Sequence, residues 1–141
     1  MPDNVVLFAT IILLLPMIYF LLAAPAFLLV KLDIPAVAQL LRAMFSGYFL
    51  TVSIAGAIGA LAVGVTGRLF VAIGICLIAA FAVSARRWFL RRMDAELSAR
   101  DGGDANAVRK LRRLHWGGML CNAIQLVAVV ASIPYIGVTP T

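Results

Sequence analysis

The apolar positions of this chain fall in four long blocks and not in periodic stripes, over residues 5–30, 36–63, 68–89 and 115–133. A helix needs about 20 predominantly apolar residues to cross a hydrocarbon core about 30 Å thick. Each block is of that order, so the pattern predicts an all-α protein. The expected architecture is a four-transmembrane-helix up-and-down bundle, in a single integral membrane domain of residues 1–141. The first block would be about 39 Å long as a helix, at 1.5 Å per residue. It should therefore tilt, bend or protrude. Pro16 and Pro25 lie inside it, and each removes a backbone donor and crowds the preceding turn, so kinks are expected there. The segment before it, Met1-Pro2-Asp3-Asn4, has no Lys or Arg. With so long an apolar run behind it, the block reads as a retained first span and not as a cleavable signal.

The polar connections set the boundaries. Lys31-Leu32-Asp33-Ile34-Pro35 forms a short turn, and Gly64-Val65-Thr66-Gly67 a tight one. The third helix is expected to leave the membrane and continue through Arg91-Arg92-Met93-Asp94-Ala95-Glu96-Leu97, with Arg92–Glu96 and Glu96–Arg100 as ion pairs one turn apart. Asp101-Gly102-Gly103 breaks it. Asp104 is placed to cap the fourth helix, which starts near Ala105 and enters the membrane around His115. Residues 90–114 are thus a basic hairpin outside the hydrocarbon.

Composition narrows the class. The 141 residues are 64% hydrophobic and 13% charged, against about 45–50% and about 25% in soluble domains. No separate soluble domain fits. The net charge of +6 comes largely from residues 86–116, which hold nine of the twelve Lys and Arg residues and the sole His. Because these charges flank membrane spans, they read as a positive-inside signal and not as a nucleic-acid surface. Arg86, Arg87, Arg91, Arg92, Arg109, Lys110, Arg112 and Arg113 are expected to fix orientation and to attract anionic headgroups without specificity. The 86–114 loop is then cytoplasmic, together with Lys31 and Arg42. The 64–67 link, with Arg68 beside it, lies outside, as do both termini. The compact Ala-, Arg- and Gly-rich chain points to a bacterial cytoplasmic (inner) membrane.

Candidate chemistry is sparse. In the second span, Gln39, Arg42 and Ser46 share one helical face, which Ser53 continues. Arg42, two turns from the helix start, must snorkel or find a partner. Gly56, Ala60 and Gly64 recur every four residues, a spacing that lets another helix approach closely. In the fourth span, His115, Gly118, Asn122, Gln125 and Ser132 form a polar stripe. If the two polar faces meet, they make a vestibule into the bundle. Otherwise they are glue between helices. Cys76 and Cys121 are too few for a disulfide framework or a zinc site and read as small hydrophobes. Asp94, Glu96, Asp101, Asp104 and His115 lack metal-ligand spacing, so neither a metal nor a catalytic site is expected. A haem held by two histidines needs more than this chain's one. A second chain, or Met119, would have to complete it. A haem-binding or redox bundle built on His115 is therefore the alternative reading.

Three short elements resemble the DUF4149 / TMEM205-like family of small four-span membrane proteins. They are Met44-Phe45-Ser46-Gly47-Tyr48-Phe49, Met93-Asp94-Ala95-Glu96, and His115 followed by Gly118 and Asn122. The chain departs from that family's usual residues at Ser84 and Gly118. The resemblance implies a four-span fold and no established enzymatic activity, and in one branch a link to drug resistance. The combined expectation is a non-enzymatic multi-pass protein without a cofactor. It would act as a small transporter-like homo-oligomer or as an accessory subunit of a larger membrane complex, with the lipid bilayer as its constant partner and no nucleic acid.

Overall fold

A computed structural model describes residues 2–136. Its elements are α1 (Pro2–Ala23), a 3-10 segment (Ala24–Leu28), α2 (Pro35–Val65), α3 (Leu69–Asp101) and α4 (Ala107–Ile136). The stretches Asn4–Leu28, Pro35–Val65, Leu69–Asp101 and Ala107–Pro134 are each long and apolar enough to cross a membrane. The all-α four-helix bundle is thus the fold.

The boundaries have local causes. Pro16 sits within a continuous α1, whereas Pro25 falls where α1 gives way to the 3-10 segment. Pro25 has no N–H to offer the carbonyl four residues back, so the α pattern stops there. Pro35 opens α2 at a position where its missing donor costs nothing. Gly67 and Gly103 adopt φ +83° and +92°, the left-handed conformation that ends helices most cheaply at glycine. After α3, Asp104 N donates to Ala99 O and Gly103 N to Arg100 O, both at 3.0 Å. That is the paired closure of a Schellman motif. Asp104, expected to cap the fourth helix, lies in the turn ahead of α4, its carboxylate accepting from Asn106 N at 2.8 Å and its carbonyl from Ala107 N at 3.2 Å. Pro134, expected just beyond the fourth helix, lies inside its last turns.

Helices α1 and α2 pack on each other, α2 on α3, α3 on α4, and α4 back on α1. The connections 29–34 and 102–106 lie at one end of the bundle, and the link 66–68 at the other. Large apolar side chains face outward along the helices: Phe8, Leu22, Leu61, Phe70, Leu77 and Val127 are all more than 60% exposed. A surface this apolar is tolerated where lipid, not water, covers it. The molecule is a multi-pass membrane protein in contact with a bilayer. At 1.5 Å per residue α3 is about 50 Å long, well beyond a hydrocarbon core of about 30 Å. It must therefore tilt or extend beyond the hydrocarbon.

Candidate functional site

The interior is built on aromatic side chains. Phe45 of α2 is fully buried. Its ring centroid lies 5.3 Å from Phe20, 5.5 Å from Phe89 and 6.1 Å from Phe49. Phe49 and Phe89 stack at 5.6 Å, and Phe20 lies 4.2 Å from Tyr48. The edge of Phe45 enters α4 at Gly118. A Cβ on Gly118 would lie 2.2 Å from Phe45 Cε1 and 2.4 Å from Cζ. The spacing on α4 puts Gly118 in the polar stripe. Its place in the fold is a socket for an aromatic edge.

The stripe on α4 does turn inward over its first turns. His115 and Asn122 are 0% and 1% exposed. Asn122 Oδ1 accepts from the Tyr48 hydroxyl at 2.6 Å, and its Nδ2 donates to the Met17 carbonyl at 3.1 Å. One amide therefore ties α4 to both α2 and α1. His115 lies 6.1 Å from both the Phe27 and Phe45 rings. Neither ring nitrogen completes a hydrogen bond, although the Ala24 backbone comes close. Gln125 is half-buried, and Ser132 donates to its own helix at Val129 O.

The face of α2 that carries Gln39, Arg42 and Ser46 does not meet this stripe, so the vestibule expected from the sequence is not formed. Gln39 is exposed. Arg42 reaches α3, where Nε and Nη2 bond the two carboxylate oxygens of Asp94, the latter at 3.0 Å. This two-pronged geometry gives an arginine–carboxylate pair its direction. Arg42 is thus paired, not snorkelling alone. Ser46 accepts from Arg86 of α3, at Oγ (3.0 Å) and at its carbonyl (3.3 Å). Ser53, read as continuing the face, donates instead to Phe49 O one turn back.

The small residues of α2 are used up by α3 as well. A Cβ on Gly56 would come 2.9 Å from Ala79 Cβ, and one on Gly64 would come 3.8 Å from Ala72 Cβ. Ala60 is half-buried. The helix that this face admits is therefore α3 of the same chain.

The basic residues divide into two groups. Arg86 and Arg112 turn inward. Arg112 donates to the carbonyls of Phe27, Leu28 and Val30 at 3.0–3.4 Å, closing the end of the first span, where helical carbonyls lack partners. Arg100 does the same for Leu32 O and also pairs with Asp101. Arg87, Arg91, Arg92, Arg109, Lys110 and Arg113 are exposed. The expected pairs of Glu96 with Arg92 and Arg100 do not form. Arg92 lies over the Trp88 ring at 5.4 Å, and Glu96 faces Lys110 of α4 at 3.9 Å. Tertiary neighbours displace the local partners.

Sequence reasoning missed Tyr48 as the partner of Asn122, and the capping roles of Arg100 and Arg112. Of the three elements behind the family resemblance, two meet, Phe45 and Tyr48 touching Gly118 and Asn122, while Asp94 pairs with Arg42, which lies outside them. No family model, no curated protein and no solved structure matches the chain.

Proposed function

We propose that this is a non-enzymatic protein of a bacterial cytoplasmic membrane that works in association. It serves as an accessory subunit of a larger membrane complex or as a small transporter-like homo-oligomer. Its basic end lies in the cytoplasm and both termini lie outside, following the positive-inside rule. Residues 137–141, which complete the C-terminus, lie outside the described residues, as does Met1. The observation that carries the reading is a set of polar ties between helices. Tyr48, Asn122 and the Met17 carbonyl tie three helices together, and Arg42–Asp94 and Arg86–Ser46 tie α2 to α3. A polar route through one chain would have to break these ties, whereas a route or contact between chains would not. With the Gly56 face filled by α3, partners are left with the lateral surfaces. One of these is an α1–α2 groove of about 710 Å³ that includes Gly47, around which nothing lies within 4 Å of an added Cβ.

Native mass spectrometry of the protein extracted from its own membrane in a mild detergent tests this reading. Foreign subunits in the complex would make it an accessory subunit, and several copies a homo-oligomer. A bare monomer that also moves no solute in liposomes would overturn the reading.

The haem-binding alternative draws support from one feature, the unpartnered nitrogens of buried His115. Met119 lies one turn along the same helix, so the two cannot approach an iron from opposite sides. A second chain would have to reach an enclosed ring. Absence of a Soret band after expression with ample haem would remove this reading.

A further inference from the structure

A polar pocket of about 290 Å³ lies between α3 and α4, lined by Trp88, Arg92, Glu96, Lys110, Arg113 and Leu114. Directly beside it, an apolar groove of about 580 Å³ runs between the same two helices past Ala85, Gly117, Leu120 and Cys121 to Phe81. Trp88, Arg113 and Leu114 line both. The two are therefore one continuous surface, cationic at its top and apolar along its length.

The cations of this pocket donate no hydrogen bond to the described residues, unlike Arg86, Arg100 and Arg112, whose donors are used on carbonyls and on Ser46. Three positive side chains face one carboxylate. Lys110 Nζ is 3.9 Å from Glu96 Oε2, too far for a hydrogen bond, and that oxygen has no hydrogen-bond partner. Arg92 is steadied over Trp88 by its ring face. Arg113 has no hydrogen bond or ion pair among the described residues. Trp88 and Trp116 are about half exposed at this level of α3 and α4, and tryptophans gather where hydrocarbon meets headgroups. From Arg92 to Phe81 the surface follows α3 for about 16 Å at 1.5 Å per residue. That is about half of a hydrocarbon core of about 30 Å, the depth of one leaflet.

We propose that this surface binds one anionic phospholipid, with its phosphate held by Arg92, Lys110 and Arg113 and an acyl chain lying in the α3–α4 groove. Charge complementarity selects the headgroup, and the apolar groove of leaflet depth selects the tail. The rest of the basic hairpin attracts anionic membrane diffusely, but this site holds a single molecule. The proposal rests on the reading that this end of the bundle meets the headgroup layer, and it is independent of which protein partners the chain has.

The test uses the full chain in mild detergent, titrated with phosphatidylglycerol, phosphatidylcholine or glycerol 3-phosphate and read by native mass spectrometry as bound adducts. Phosphatidylglycerol should be retained as a single adduct in clear preference to the other two. Arg92→Gln and Arg113→Gln should each weaken that retention by about fivefold, the effect expected of one basic residue near a membrane surface. Ser84→Phe, which fills the groove from an exposed position, should weaken it too. Arg91→Gln and Arg109→Gln, exposed but outside the pocket, should leave it unchanged. Any one of three results would overturn the site: equal retention of phosphatidylcholine, equal weakening by the Arg91 and Arg109 variants, or equally tight binding of glycerol 3-phosphate. Because adducts and not subunits are counted, the result does not depend on whether the chain has protein partners.

Discussion

At the scale of single residues, the bundle depends on one aromatic edge and one amide. Phe45 fills the space that Gly118 leaves, at distances no Cβ could share. Gly118→Ser should force Phe45 out of its packing with Phe20 and Phe89 and cost about 1–3 kcal/mol, the usual range for overpacking. Gly117→Ala should be close to neutral, since its added Cβ lies 3.8 Å from the Phe89 ring. Thermal unfolding of the two variants in detergent separates them, and equal midpoints would mean that Phe45 moves freely. Asn122→Leu should cost about 0.6–1.7 kcal/mol, the measured scale of hydrogen bonds between membrane helices, because it strands the Tyr48 hydroxyl. Cys121→Ala should cost less. Tyr48→Phe combined with Asn122→Leu should cost less than the two changes added together, and strict additivity would argue against the tie. The inward direction of His115 and Asn122 was legible from spacing alone, because lipid rejects polar groups. The role of Gly118 was not legible, because a gap in a helix does not say which distant side chain fills it.

At the scale of the helices, α2 and α3 form the tightest pair. Arg42 meets Asp94, Ser46 meets Arg86, Gly56 meets Ala79 and Gly64 meets Ala72, in one antiparallel register. Gly56→Leu should wedge the pair apart at a cost of about 1–3 kcal/mol. Gly74→Leu, on an exposed face of α3 with nothing within 4 Å, should be tolerated. Similar unfolding midpoints for the two would contradict the register. The Arg42–Asp94 pair is more about geometry than energy. Its side chains are 33% and 53% exposed, and exposed pairs typically contribute about 0–1 kcal/mol. The helices and their glycine-marked ends were readable in the sequence, as was the close-packing face of α2. The facing of the helices was not. A membrane helix is apolar both toward lipid and toward its neighbours, so no amphipathic stripe marks the inner side. Asp94 therefore could not be matched to Arg42, nor Arg86 to Ser46, from the sequence alone.

At the scale of the whole molecule, the arginines and lysines of the hairpin end do two jobs. Some, such as Arg112 and Arg100, close the open carbonyls of the first span and its following turn. Arg87, Arg91, Arg92, Arg109, Lys110 and Arg113 face outward, where the proposed orientation puts them at the headgroups. The proposed orientation puts the hairpin end on the cytoplasmic side and the 66–68 link on the other, by the positive-inside rule. Cysteine labelling measures this directly, in a chain freed of its own thiols by Cys76→Ala and Cys121→Ala. Val65→Cys and Asn106→Cys place single thiols at opposite ends, both at exposed positions. A membrane-impermeant maleimide added to intact spheroplasts should label Val65→Cys at once, and Asn106→Cys only after the membrane is opened. Labelling of Asn106→Cys in intact spheroplasts, with Val65→Cys protected, would invert the protein and contradict the account.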